Sequence, residues 1–184
     1  AGAKTGALPF TDVSAVYYAA DAIRWAWENG YFSGVSAVQF APEQGLSRAM
    51  LVTVLWRMAG EPNAGVSTFA DVLPGGWYEK AVAWANTRGL VSGTGAGSFS
   101  PDAPITREQL IAILWRYAGS PQPAGSLSAF ADGAQTSAYA QTAMAWAVET
   151  GLIGGSNGRL LPASGATRAQ TALILQRFAA WMGM

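Results

Sequence analysis

Over residues 18–28 the apolar side chains fall at Ala22, Ile23, Trp25 and Ala26, a spacing that gathers them on one face of a helix, and the pattern stops at Asn29-Gly30. It returns over residues 77–88 and 139–150, each time closed by a glycine, Gly89 or Gly151, suited to the left-handed position that follows a helix. A second helix is predicted over residues 47–59, 106–118 and 167–180. Each opens on a hydroxyl N-cap, Ser47, Thr106 or Thr167. Gln109 and Gln170 complete a capping box, whereas Met50 leaves Ser47 with the cap alone. Leu51, Val54, Leu55 and Met58 form its buried face, matched by Leu110, Ile113, Leu114 and Tyr117, and Leu51, Leu110 and Leu173 are expected to share one register toward a common axis. Gly60-Glu61-Pro62 and Gly119-Ser120-Pro121 break the first two copies.

The same marks therefore recur at intervals of about sixty residues. Phe10-Thr11-Asp12-Val13 returns as Phe69-Ala70-Asp71-Val72 and as Phe130-Ala131-Asp132-Gly133. Pro42, Pro101 and Pro162 each precede a hydroxyl–arginine pair, Ser47-Arg48, Thr106-Arg107 and Thr167-Arg168. One supersecondary unit is used three times, over residues 10–68, 69–129 and 130–184, after a small, glycine-containing linker at 1–9. Units this small cannot bury enough of their own surface, so a single interlocked all-α domain is expected.

With 51% hydrophobic and 12% charged residues the chain is a packed globule and not a disordered segment. Eleven basic residues balance eleven acidic ones and are dispersed, so there is no electrostatic footprint for nucleic acid. No apolar run is long enough for a membrane span. The absence of cysteine and histidine removes disulfides, thiolate metal sites and the commonest general base, so no metal and no cofactor is expected. A missing cysteine also fits a bacterial export product, and a chain opening on Ala1 without a charged, apolar leader is read as a processed or excised part of a larger exported protein. No carboxylate pair recurs in all three units, which disfavours a glycosidase. The Gly93-Thr94-Gly95-Ala96-Gly97 run follows a helix where a dinucleotide fingerprint would follow a strand.

Candidate chemistry centres on Arg48, Arg107 and Arg168. Each is the first helical residue, where a cation opposes the helix dipole. A local rule broken three times at one position points either to an ion pair with Asp12, Asp71 and Asp132, locking the repeats, or to a bound anion met by the guanidinium and the free amides of the helix start. Arg57, Arg116 and Arg177, nine residues further on, suit the dipole and are read as structural. Trp25, Trp84 and Trp146 lie on the apolar stripe as core, while Tyr18, Trp77 and Tyr139 at the helix starts are candidates for lining a groove or stacking on a sugar. Gly34, Gly93 and Gly155 recur at one loop position, where the backbone needs positive φ or something approaches closely.

The order Phe-x-Asp-Val, an aromatic, a helix ending in Gly-Leu-Val-x-Gly at 89–93, Phe-x-Pro-Asp at 99–102, Ile-Thr-Arg-Glu-Gln and a Leu-Trp-Arg-Tyr-Ala-Gly helix resembles the S-layer homology family over residues 10 to about 180. The resemblance implies a pseudo-threefold, three-pronged arrangement with a central three-helix bundle and grooves between units. It implies a noncatalytic, extracellular anchor that binds the secondary cell-wall polymer, often through a pyruvate ketal on N-acetylmannosamine. The family's Thr-Arg-Ala-Glu signature maps onto residues 47–50, 106–109 and 167–170, every copy keeping the arginine and none the final glutamate. On this reading Arg48, Arg107 and Arg168 meet the ketal carboxylate, Asp12, Asp71 and Asp132 orient them or accept sugar hydroxyls, and the glycine loops admit the sugar. The competing reading is a helical scaffold that holds a protein or peptide in the same grooves.

Overall fold

The computed structural model describes residues 7–184, so the first six residues of the expected linker lie outside it. Six α-helices run in chain order: α1 (Ala20–Glu28), α2 (Arg48–Met58), α3 (Glu79–Thr87), α4 (Arg107–Tyr117), α5 (Gln141–Glu149) and α6 (Arg168–Met182). α1, α3 and α5 start two residues later than the apolar spacing predicts. Their N-caps are Ala19, Tyr78 and Ala140, none with a capping side chain, so no hydroxyl defines an earlier start. Their ends fall as expected, with Gly30, Gly89 and Gly151 at φ 74°, 68° and 73°. The hydroxyl caps of α2, α4 and α6 form as read, with full capping boxes at Thr106 and Thr167. α6 runs beyond the expected residue 180, because its first left-handed breaker is Gly183, and Trp181 stacks on Phe178 one turn earlier.

The repeats close into a ring at the start of α2, α4 and α6. Leu46 N donates to Ala166 O at 2.9 Å, Ala166 N to Ile105 O at 3.0 Å, and Ile105 N to Leu46 O at 2.9 Å. This backbone triangle is buried and marks the pseudo-threefold axis. The orphan amides of the helix starts follow the same order. Arg48 N and Ala49 N donate to Ala103 O and Pro101 O, Arg107 N and Glu108 N to Ser164 O and Pro162 O, and Arg168 N and Ala169 N to Gln44 O and Pro42 O. Each proline loop thus caps the preceding repeat's helix, and the third repeat's helix is capped by the first. Further along, Leu55, Leu114 and Leu175 are fully buried, and Tyr117 of α4 meets Phe178 of α6 at 5.7 Å. One register needs correcting. Counted from the arginines, the partner of Leu51 and Leu110 is Thr171, not Leu173, and its buried hydroxyl donates to Thr167 O.

Around this centre the second helix of each repeat packs on the first helix of the next: α2 on α3, α4 on α5, and α6 back on α1. The three prongs are therefore each built from two repeats, and one continuous core runs through all of them. Among the described residues no helix is long and apolar enough to cross a membrane.

The recurrent loop glycines have an internal cause. A Cβ on Gly93 would lie 2.7 Å from Ser98 O and 3.0 Å from the Phe69 ring, and one on Gly34 2.5 Å from the Phe10 ring. The close approach is made first by a carbonyl of the same loop and then by the phenylalanine that opens each repeat, and of the three only Gly155 has positive φ. Gly93→Ala is expected to lower stability by about 1–3 kcal/mol in urea denaturation, whereas Gly45→Ala, with open space around it, stays within about 0.5 kcal/mol of wild type.

Candidate functional site

Each first-position arginine crosses to the loop of the next repeat. Arg48 donates from Nε to Phe99 O (3.0 Å) and from Nη2 to Ser92 O (3.1 Å). Arg168 repeats this on Phe40 O (2.7 Å) and Ser33 O (2.6 Å), closing the ring onto the first repeat, and Arg107 Nε reaches Leu160 O at 2.9 Å. The guanidinium groups of Arg48 and Arg168 also lie over the Phe99 and Phe40 rings, 4.7 Å and 4.4 Å from their centroids. Arg168 is only 5% exposed, and desolvation pulls its pKa down to about 10, which still leaves it charged at neutral pH.

The aspartates grip the same residues from the other side. Asp71 accepts Phe99 N and Ser100 N at 2.7 Å each, Asp12 accepts Phe40 N and Ala41 N, and Asp132 accepts Leu160 N and Leu161 N. The second residue of each pair, Ala41, Ser100 or Leu161, is left-handed, with φ of 55°, 58° and 53°. Such a conformation costs about 1–2 kcal/mol in a non-glycine residue and persists only where held. The carboxylate holds it, and so turns the chain toward Pro42, Pro101 or Pro162. The expected Arg–Asp pair is thus replaced by a relay through one residue, whose N–H goes to the aspartate and whose C=O goes to the arginine. A second expectation also falls: the helix-start amides are not free for an anion, because the neighbouring loop and the N-cap consume them.

The remainder of the Arg48 side chain lines a groove shared by all three repeats. A cavity of about 370 Å³ is lined by Arg48 from the first repeat, by Val91, Ser92, Gly93, Thr94, Gln109, Ala112, Ile113 and Arg116 from the second, and by Tyr139 from the third. Position for position the same set recurs around α2 as Arg168, Phe32, Ser33, Gly34, Val35, Met50, Thr53, Val54, Arg57 and Trp77, with a volume of about 210 Å³. Bulkier Phe32, Thr53 and Trp77 replace Val91, Ala112 and Tyr139 there. Around α6 the equivalent arginine, aromatic and loop glycine are Arg107, Tyr18 and Gly155, and Tyr18 lies close enough to influence the Arg107 charge. In this third set Gly154 stands for Ser92, and Leu173 for Ala112.

The predicted arginines and aromatics are thus brought together, each pair drawn from different repeats. The aspartates are not: Asp12 and Asp71 line neither groove, and Asp132 is buried beneath its loop. Arg116 and Arg57, read from the sequence as structural only, also stand in the grooves. Their Nη1 atoms donate to Leu90 O and Tyr31 O, which is the structural role expected, while the side chains also line the cavities. Their recurrence in step with Arg48 and Arg107 was the available signal. Glu108 was missed. It is buried on α4 and accepts Ser137 N (2.9 Å), Ser137 Oγ (2.7 Å) and the Tyr139 hydroxyl (3.4 Å) from the third repeat.

The result is a cyclically closed three-repeat helical module in which both cavities described are joint products of its repeats. Three segments, residues 9–49, 68–111 and 129–172, match the S-layer homology domain, and the chain belongs to that family. It is 30% identical over 178 residues to an endoglucanase of Bacillus sp. (strain KSM-635), covering 94% of this chain and 19% of that protein, so the likeness is to its S-layer homology part. It is 30% identical over 164 residues to the surface-layer 125 kDa protein of Lysinibacillus sphaericus (87% of this chain, 14% of that one). It is 26% identical over 118 residues to a cellulosome-anchoring protein of Acetivibrio thermocellus (61% and 26%). The chain spans about a quarter or less of the length of these relatives. It is a cell-surface anchoring module of three tandem repeats.

Two outcomes test the relay. Arg168→Ala should cost the most stability, about 3 kcal/mol, because it strands two carbonyls at a buried site, and Arg107→Ala the least, about 1.5 kcal/mol, with Arg48→Ala between them in urea denaturation. Lysine at 168 should recover only part of the loss, since a point charge cannot span both carbonyls. The amide bonds, first of all those from Phe99 to Asp71 and from Leu160 to Asp132, hold these carboxyls below the ordinary value of 3.8. The unfolded chain then binds more protons in acid, so this stabilisation is complete above pH 3.8 and fades as pH falls below it. Thermal melts from pH 6 to pH 3 should show the decline, flattened in Asp71→Asn.

Proposed function

We propose that the module holds an anionic saccharide of the secondary cell-wall polymer in its inter-repeat grooves and so tethers a larger exported protein to the cell wall without catalysing any reaction. The observation that carries this reading is the lining of the two cavities described: each has two guanidinium groups and no carboxylate. Arg48 spends Nε and Nη2 on carbonyls, and Arg116 spends one Nη, so both keep N–H donors for a ligand. A planar carboxylate matches such donors better than a hydroxyl does. A pyruvate ketal on N-acetylmannosamine supplies one, on a ring whose apolar face suits the aromatic wall of Tyr139 or Trp77.

Purified cell walls, intact and after acid removal of pyruvate, test the reading in a sedimentation assay. The module should bind intact walls and lose them after depyruvylation. Equal binding to both would overturn the ketal reading, and binding to a wall-associated protein alone would favour the scaffold alternative. Arg116→Ala should weaken the α4 groove by about 2–5 kcal/mol in calorimetry.

A further inference from the structure

Glu108 stands at the second position of α4, where the other repeats carry Ala49 and Ala169. Its carboxylate is 7% exposed and makes no use of the groove's arginines. It accepts the Ser137 amide and hydroxyl and the Tyr139 hydroxyl, all from the turn Ala138–Ala140 and the residue before it, just ahead of α5. The positive end of α4 and three donors make this buried charge tolerable. Tyr139 lines the same cavity as Arg48 and Arg116 and is its one aromatic residue. The equivalent rings lean instead on aromatic neighbours, Trp77 edge-on against Tyr78 at 5.0 Å and Tyr18 against Tyr17 at 4.7 Å. Alanine at 49 and 169 cannot reach them.

We propose that Glu108 is a positioning residue that fixes Tyr139 and makes the α4 groove the tightest of the three for an anionic saccharide, a proposal that rests on the polymer reading above. The ring is held in place before the ligand arrives, so less rotamer freedom is lost on binding. The hydrogen bond also sets polarity. A phenol that donates to Glu108 offers its oxygen only as an acceptor. The groove then presents arginine donors together with a tyrosine acceptor, selecting a sugar that carries both a carboxylate and a hydroxyl or acetamido N–H.

Calorimetric titration with a synthetic methyl glycoside of 4,6-pyruvylated N-acetylmannosamine tests this, alongside thermal melts. Glu108→Ala, which recreates the other two repeats, should weaken the tightest site about tenfold and leave the weaker sites unmoved. Tyr139→Phe should add little further loss on the Glu108→Ala background, because both act through one bond. A lowered melting temperature with unchanged affinity would overturn the proposal and leave Glu108 a structural clamp. Should Glu108→Ala fail to fold, Glu108→Leu, which fills a similar volume but has no acceptor for the Tyr139 hydroxyl, carries the same comparison. Separately, 3-fluorotyrosine at position 139 should give one sharp fluorine resonance in the otherwise native chain and a broadened or split one in Glu108→Ala. An unchanged line would overturn the positioning role even if no groove bound the saccharide, whereas absence of binding with a broadened line would overturn only the polymer reading and the ranking of grooves.

Discussion

Everything in this molecule depends on how the first amides of α2, α4 and α6 find acceptors. A helix start exposes donors that cannot be buried unpaired. Here the side-chain caps satisfy one per helix, and carbonyls of the next repeat's proline loop satisfy the first two. No repeat can bury its own helix start. That incompleteness forces the three to close on one another, and the triangle of Leu46, Ile105 and Ala166 is where closure becomes a geometric statement. The prongs follow from it, because a helix capped by the next repeat lies beside that repeat's first helix.

The grooves are by-products of this closure put to use. An aspartate holds a left-handed residue, the loop so formed offers a carbonyl, and an arginine from the preceding repeat takes it. Once its Nε is committed inward, the rest of the guanidinium points along the seam between repeats, where a second arginine on the same helix as the groove floor joins it. One side chain therefore both ties two repeats together and lines a groove, and a cation placed against a helix dipole is explained by carbonyls it reaches in another repeat.

The repeat, the helices and their caps were legible because they rest on local chemistry: a hydroxyl at Thr106 or Thr167, a glycine at residue 89 or 151, a spacing of apolar residues. Arg48 and Tyr139 stand out in the sequence, one for violating a local preference and the other for its place at a helix start, and the structure puts both in the lining of one cavity. The way Asp12, Asp71 and Asp132 reach the arginines was not legible, because their partners are backbone amides about thirty residues away, and a backbone amide leaves no mark in a sequence. A close approach at Gly93 is legible, but that Ser98 O and the Phe69 ring make it is a distinction that sequence position cannot draw. Leu173 was placed in the register of Leu51 because a leucine looked right there, when counting from the arginines leads to Thr171. Glu108 was invisible for the opposite reason: it occurs once, and attention followed what occurs three times.

The seam between the first and third repeats differs from the other two in one respect. The first repeat is joined to the second, and the second to the third, by the chain itself, but α6 and α1 meet only through side chains and hydrogen bonds. This is where the arginine is most deeply buried and its two bonds are shortest. In a tether under tension, load passing between the first and third repeats would be borne at this junction. The closed ring then works as a clasp whose one unsewn join carries the strongest stitch, and slipping of that join would open the groove around α2, since Arg168 belongs to both.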